Sequence, residues 1–111
     1  MKREQQLIEK LKNRGSLEKK YLELDFSECD FSDIDLSGLD FSDLDLRVTY
    51  FNNCNLAQCN FQRANLAYAK FINCNVSGAN FMFANLSGVR FSGTDISNAN
   101  LLGSIMINVI L

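Results

Sequence analysis

From Phe26 to Leu111 a large apolar residue stands at every fifth position, eighteen in succession, reading F, F, L, F, L, F, L, F, L, F, V, F, L, F, I, L, M, L. A helix turns every 3.6 residues and a strand alternates every two, so either would carry this set round to solvent within a few repeats. A period held this long marks a repeat architecture. The position two before each of these is small or apolar as well, from Leu24 and Cys29 through Ala64 and Ala69 to Val109. Two inward residues separated by one outward residue is the alternation of a very short strand, and the remaining two residues of each five must turn a corner. Gly38, Gly78, Gly88, Gly93 and Gly103 fall two positions after a large core residue, where a turn tolerates them, while Asp, Asn and Ser dominate the other outward positions.

Between 31 and 96 the large position alternates strictly between Phe and an aliphatic residue. If successive coils stack like on like, the number of repeats per coil is even. Two would enclose almost nothing, whereas four gives four core ladders. One holds Phe31, Phe51, Phe71 and Phe91, and a second holds Phe41, Phe61 and Phe81. The other two are aliphatic, with Leu36, Leu56, Val76 and Ile96 in one and Leu46, Leu66 and Leu86 in the other. Eighteen repeats then predict an all-β solenoid of about four and a half coils, a rod on the order of 20 Å long at the spacing of paired strands.

The segments NCNL, QCNF, RANL, YAKF, SGANF, FANLSG and NANLLG, between 53 and 103, resemble the repeats of the pentapeptide-repeat family. The resemblance covers about residues 22–111 and implies a right-handed quadrilateral β-helix. The repeats from 24 to 45 depart from the pattern, with Asp in place of Asn before the core residue and larger aliphatics at the small position (Leu24, Ile34, Leu39, Leu44), which widens the first coil. Some members of the family are dimeric rods that mimic a DNA duplex in size and charge and bind DNA gyrase, so gyrase enters as one partner that the resemblance implies.

A stacked coil leaves open ends that need cover. Residues 3–14 predict a short capping α-helix, with Leu7, Ile8 and Leu11 as its apolar stripe and Gly15 as its C-cap. The expected organisation is a capping helix and lead-in over 1–21 followed by the repeat domain over 22–111. Toward the other end the outward positions turn apolar at Met82, Phe83, Leu102, Ile105, Ile107 and Ile110. Such a patch predicts an interface, and a two-fold homodimer through the C-terminal coils would bury it.

Charge is sorted along the chain. Residues 1–24 hold seven Lys or Arg against four Glu, and residues 46–111 hold four bases against Asp95 alone. Between them lies an acidic collar of Asp25, Glu28, Asp30, Asp33, Asp35, Asp40, Asp43 and Asp45. Folded on a twenty-residue coil these acids spread over all four sides, so they read as a solvated surface open to partner recognition. They do not form a metal or acid/base site, and DFSDIDLSGLD fails the calcium-loop pattern. There is no His, no CxxC and no glycine-rich phosphate loop before a helix. Cys29, Cys54, Cys59 and Cys74 all fall in the small inward set, as packing residues.

These features predict a non-enzyme without cofactor, metal or small-molecule substrate. No apolar run reaches signal-peptide or membrane-span length, so the expected location is the cytoplasm, with no membrane contact. The function expected is a protein-interaction or structural scaffold, with Tyr50, Tyr68, Arg63 and Arg90 as surface anchors for a protein partner and no direct nucleic-acid contact. The alternative is a DNA-mimic modulator of gyrase. Against that alternative, the positive charge at Arg47, Arg63, Lys70 and Arg90 interrupts a continuous acidic face, and C-terminal pairing would send the acidic collars to the far ends of the dimer.

Overall fold

The computed structural model describes residues 2–111. Helix α1 spans Arg3–Lys12, with Glu4 in its first turn and Lys10 and Lys12 in its last, the charge order that the helix dipole favours. Leu7, Ile8 and Leu11 are buried and join the same apolar core as Phe26, Phe31 and Phe41. The helix stops earlier than expected. The Asn13 side-chain amide donates to the Glu9 carbonyl at 3.0 Å, and Gly15 falls inside a following 3-10 turn, Arg14–Leu17, instead of capping α1. A second 3-10 turn, Lys20–Glu23, leads into the repeats.

Polar side chains tie this N-terminal segment to the first repeats. Arg3 Nη2 donates to the Ser27 carbonyl at 2.7 Å, and the Asp30 amide donates to Glu4 Oε2 at 3.1 Å. Arg14 reaches furthest, donating to the carbonyls of Asp40 (3.0 Å) and Ser42 (2.7 Å), with its guanidinium 3.8 Å from the centre of the Tyr21 ring.

Residues 24–111 repeat one unit of five: a small inward residue, a bridging residue, a large inward residue and two corner residues. Each bridging residue pairs in parallel with the residue twenty further on, as in Asn60 with Asn80. Three backbone bonds join successive coils on one side. Around Phe61, Asn80 N–H donates to Cys59 O (2.9 Å), Phe61 N–H to Asn80 O (2.7 Å) and Arg63 N–H to Met82 O (3.0 Å).

The expected fold class, an all-β solenoid with the form of a right-handed quadrilateral β-helix, is corrected here. Among the described residues there is no β-strand. The regular secondary structure is helical (α1 and the two 3-10 turns), and pairing in 24–111 is confined to thirteen isolated bridges. The reason lies in the length of the repeat. With one bridging residue per side and the next corner two residues beyond, consecutive residues never pair, and the run that defines a strand cannot begin.

The corners show what that short repeat demands. The second corner residue adopts the left-handed conformation in nearly every repeat, from Glu28 (φ 55) to Asn108 (φ 58), as the second central residue of a type II turn does. Glycine takes this place without steric cost at 38, 78, 88, 93 and 103, whereas Val48 (φ 62), Tyr68 (φ 63) and Phe83 (φ 59) occupy it against their preference. The rings of Tyr68 and Phe83 lie directly over Gly88 and Gly103 in the next coil, where an added Cβ would stand 2.5 Å from ring carbon.

The interior is two columns of Phe. In the column of Phe31, Phe51, Phe71 and Phe91 successive ring centres are 5.5, 4.9 and 5.3 Å apart, and both spacings in the column of Phe41, Phe61 and Phe81 are 5.0 Å. The columns meet edge to face across the coil, as Phe61 and Phe71 do at 5.8 Å and 88°. Both contacts are geometries that aromatic rings prefer. Phe91 ends the longer column and is as buried as the rings beneath it. Its ring meets Phe81 edge to face at 6.1 Å, and its amide donates to Ile110 O at 2.7 Å, so the last residues of the chain still cover it. Leu36, Leu56 and Val76 on one side and Leu46, Leu66 and Leu86 on the other are buried, while Ile96 is only partly so. No helix among the described residues is long and apolar enough to cross a membrane.

Candidate interaction surface

A repeated side-chain bond organises the outer surface. The Asp or Asn at the bridging position accepts a hydrogen bond from the amide two residues on and so closes the corner: Asp35 Oδ1 from Ser37 N–H (3.0 Å), Asn60 from Gln62 (2.9 Å), Asn85 from Ser87 (3.0 Å). This local bond is the Asx turn. Of the eight acids in the collar, Asp25, Asp30, Asp35, Asp40 and Asp45 all make it. They are therefore structural acceptors as well as surface charges, a role that sequence reading missed. The signal was available, since Asn fills the same place one coil later at 55, 60 and 65.

Three of the eight acids are also paired. Asp43 meets Arg63 Nε at 2.7 Å and lies 4.0 Å from Arg14, Asp40 meets Arg14 at 3.2 Å, and Asp45 meets Arg47 at 2.6 Å. Asp25, Glu28, Asp30, Asp33 and Asp35 make no ion pair among the described residues. Hydrogen bonds from Ser27, Ser32 and Ser37 hold the carboxyls of Asp25, Asp30 and Asp35 below the usual range, and the guanidiniums of Arg63 and Arg47 do the same for Asp43 and Asp45.

One column departs from the pattern. Bridges link Asp30, Tyr50, Lys70, Arg90 and Ile110 in sequence, so at 50, 70 and 90 the corner loses its Asx acceptor. Lys70 Nζ sits 5.1 Å from the centre of the Tyr50 ring, a cation–π distance, and neither Lys70 nor Arg90 has a carboxylate within 4.0 Å among the described residues. Tyr68, 65% exposed, stands on the corner just before Lys70. Of the four anchors named from sequence, Tyr50, Tyr68 and Arg90 fall on or beside this column. Arg63 is committed to Asp43 instead, and Lys70 takes its place.

Toward the C-terminus Phe83, Leu102, Ile105, Ile107 and Ile110 are exposed and Met82 is partly buried, its sulfur 3.7 Å from Gln62 Nε2. Met106 and Leu111, at large-core positions, are exposed alongside them.

Nothing described converges as a reactive centre. Cys29, Cys54, Cys59 and Cys74 are buried free thiols, and the last three donate S–H to the carbonyls of Phe31, Leu36 and Phe51. Burial pushes Cys29 up to about 11 and Cys59 up to about 12, and contact with Cys74 together with burial pushes Cys54 up. Thiols so raised stay protonated at neutral pH and make poor nucleophiles. No group of three or more Cys, Asp or Glu among the described residues is placed to hold a metal.

The pentapeptide repeat region family matches residues 24–101. The chain belongs to the pentapeptide-repeat family. A pentapeptide repeat protein of the Arabidopsis thaliana thylakoid lumen is 33% identical with a TM-score of 0.68, over 70% of this chain and 55% of that one. HetL of Nostoc sp. strain PCC 7120, a pentapeptide repeat protein involved in heterocyst differentiation regulation, is 28% identical with a TM-score of 0.69, over 74% of this chain and 38% of that one. A third, from the cyanobacterium Cyanothece 51142, is 27% identical with a TM-score of 0.66, over 75% of this chain and 60% of that one. This pentapeptide-repeat chain thus aligns with only part of each of these longer relatives. No curated protein matches it.

The carboxyls held low in the folded state fix the sign of its acid response. Their bonds are fully formed above the unfolded value, about 3.9 for Asp, and are lost as pH falls through the folded values, so the melting temperature should drop on acidification from about pH 5 to about pH 3. Asp30→Asn with Asp35→Asn keeps the Asx acceptors. It should leave the melting temperature at pH 7 nearly unchanged while flattening the acid decline, and an equally steep decline in circular-dichroism melts would contradict this reading of the collar.

Proposed function

We propose that this pentapeptide-repeat chain is a non-catalytic protein-binding module whose recognition face is the column Tyr50, Lys70 and Arg90 with Tyr68 beside it. The loss of the Asx acceptor in three successive coils, at 50, 70 and 90, carries the reading. In the other columns Asp or Asn at the bridging position serves the corner up to residue 100. Here that position carries Tyr50, Lys70 and Arg90, none of them in an ion pair among the described residues, with the exposed ring of Tyr68 on the adjacent corner, residue types that dominate interfaces. The family and the relatives above support a binding role in general.

Restoring the acceptors separates binding from stability. Tyr50→Asn, Lys70→Asn and Arg90→Asn should each stabilise the chain by about 0.5–1.5 kcal/mol, the net worth of one hydrogen bond, while the triple variant stops retaining the partner that wild type captures. A triple variant that is more stable and still retains it would move the recognition face elsewhere.

The exposed apolar surface of Phe83, Leu102, Ile105, Ile107 and Ile110 supports self-association as part of this role. Light scattering should give twice the chain mass of 12.5 kDa. Leu102→Lys with Ile107→Lys should return a folded monomer, and an unchanged dimer mass in that variant would exclude this interface.

The unpaired carboxylates of Asp25, Glu28, Asp30, Asp33 and Asp35 favour a second reading with the same non-catalytic character. In it the acidic collar docks on the basic DNA-binding surface of gyrase. A supercoiling assay decides it: dose-dependent modulation by wild type, lost when these five residues are neutralised, supports gyrase as the partner, and unaltered supercoiling excludes it.

A further inference from the structure

The backbone bonds between coils fail on one side of the first coil. One coil later on that side, Asn65 N–H donates to Leu44 O (2.9 Å), Leu46 N–H to Asn65 O (2.7 Å) and Val48 N–H to Ala67 O (3.0 Å). The equivalent bonds would run from Asp45 N–H to Leu24 O, from Phe26 N–H to Asp45 O and from Glu28 N–H to Arg47 O. None of them forms among the described residues, and no bridge joins Asp25 to Asp45. Residues 24–28 are held instead by the N-terminal segment, through Arg3 on the Ser27 carbonyl and the Leu24 amide on Tyr21 O.

The separation opens a groove of about 460 Å³, within the roughly 300–1,000 Å³ range of ligand sites. Its apolar wall is Leu24, Val48 and Tyr68, and its polar edge carries the carboxylates of Asp25, Glu28 and Asp45. Only Asp45 of these three is in an ion pair, with Arg47. Val48 and Tyr68 both hold left-handed corners that glycine fills at Gly88 in the same column, and both remain exposed. The groove thus combines unused backbone donors and acceptors, an apolar wall and a surplus of negative charge.

We propose that this groove binds an extended, basic peptide segment of a partner protein, whose backbone takes up the bonds that residues 24–28 leave unmade. An extended chain supplies donors and acceptors along its edge, apolar side chains on one face settle on Leu24, Val48 and Tyr68, and Lys or Arg side chains on the other reach Asp25 and Glu28. The inference rests on the protein-binding role proposed above but uses a different face from the Tyr50 column.

The test uses the full chain, ¹⁵N-labelled, titrated with three end-blocked pentapeptides: Val-Lys-Val-Lys-Val, its Glu counterpart and its backbone N-methylated form. The lysine peptide should give saturable shifts centred on the unbonded amides of Phe26, Glu28 and Asp45, with the other two binding at least about tenfold more weakly. Tyr68→Gly, the residue of the equivalent corner at Gly88, should weaken the lysine peptide while keeping a folded spectrum. Absence of saturable shifts, shifts centred elsewhere, or equal binding of the three peptides would overturn the proposal. A chain that ignores these peptides yet still captures its partner through Tyr50, Lys70 and Arg90 would overturn the groove alone and leave the binding role standing.

Discussion

Ring stacking and backbone hydrogen bonding must share one spacing, and every other feature of the repeats follows from that requirement. Parallel backbones joined by hydrogen bonds lie about 4.8 Å apart, and the Phe rings of successive coils stack at 4.9–5.5 Å. The two distances nearly coincide, so a ring can sit on its neighbour twenty residues later while the amides on either side bond without distortion. A Phe column on a third side would have no space, because the two existing columns already meet edge to face across the coil. Beyond Phe26, which opens one of them, the remaining sides carry mostly Leu, Val and Ile, and the small inward position from 49 to 84 carries Cys, Ala and Thr. Replacing a mid-stack ring such as Phe61 with a small residue would remove contacts to Phe41, Phe51, Phe71 and Phe81 at once.

That economy leaves little backbone for anything else. Two of every five residues form a corner, one of them left-handed, and a side-chain carboxylate or amide closes most corners from the bridging position. The surface is thus largely occupied with building the coil. Departures stand out against it: Tyr50, Lys70 and Arg90 give up the closing bond, Val48, Tyr68 and Phe83 hold corners suited to glycine, and residues 24–28 leave the stack. Each departure costs stability locally, and each lies on the surface, where such a cost is tolerated when a partner is recognised.

The sequence discloses these layers unequally. Burial follows the period of five because phase alone decides which side chains point inward. All the ladder residues named from the sequence are buried except the last of them, Ile96, which is partly so and has no residue twenty positions on to cover it. The pairing of Arg63 with Asp43 was open to the same arithmetic, twenty residues being one coil, yet Asp43 reads from sequence as part of a solvated collar and Arg63 as a partner anchor. The reading of paired strands failed because alternation of inward and outward residues does not reveal that only one residue per side can bridge. The lifted segment 24–28 leaves no trace in the period, since Phe26 keeps its phase and its burial while the backbone around it departs. Its position is set by Arg3 and the 3-10 turns, contacts between distant parts of the chain that no local pattern encodes.

The register is the claim on which all of this stands, and through-hydrogen-bond scalar coupling in a ¹³C,¹⁵N-labelled sample reads it directly. The account predicts couplings from the amide nitrogens of Phe41, Phe61 and Phe81 to the carbonyl carbons of Asn60, Asn80 and Asn100, nineteen residues ahead in each case. Couplings from those amides to carbonyls four residues earlier, or to partners at any other offset, would contradict it.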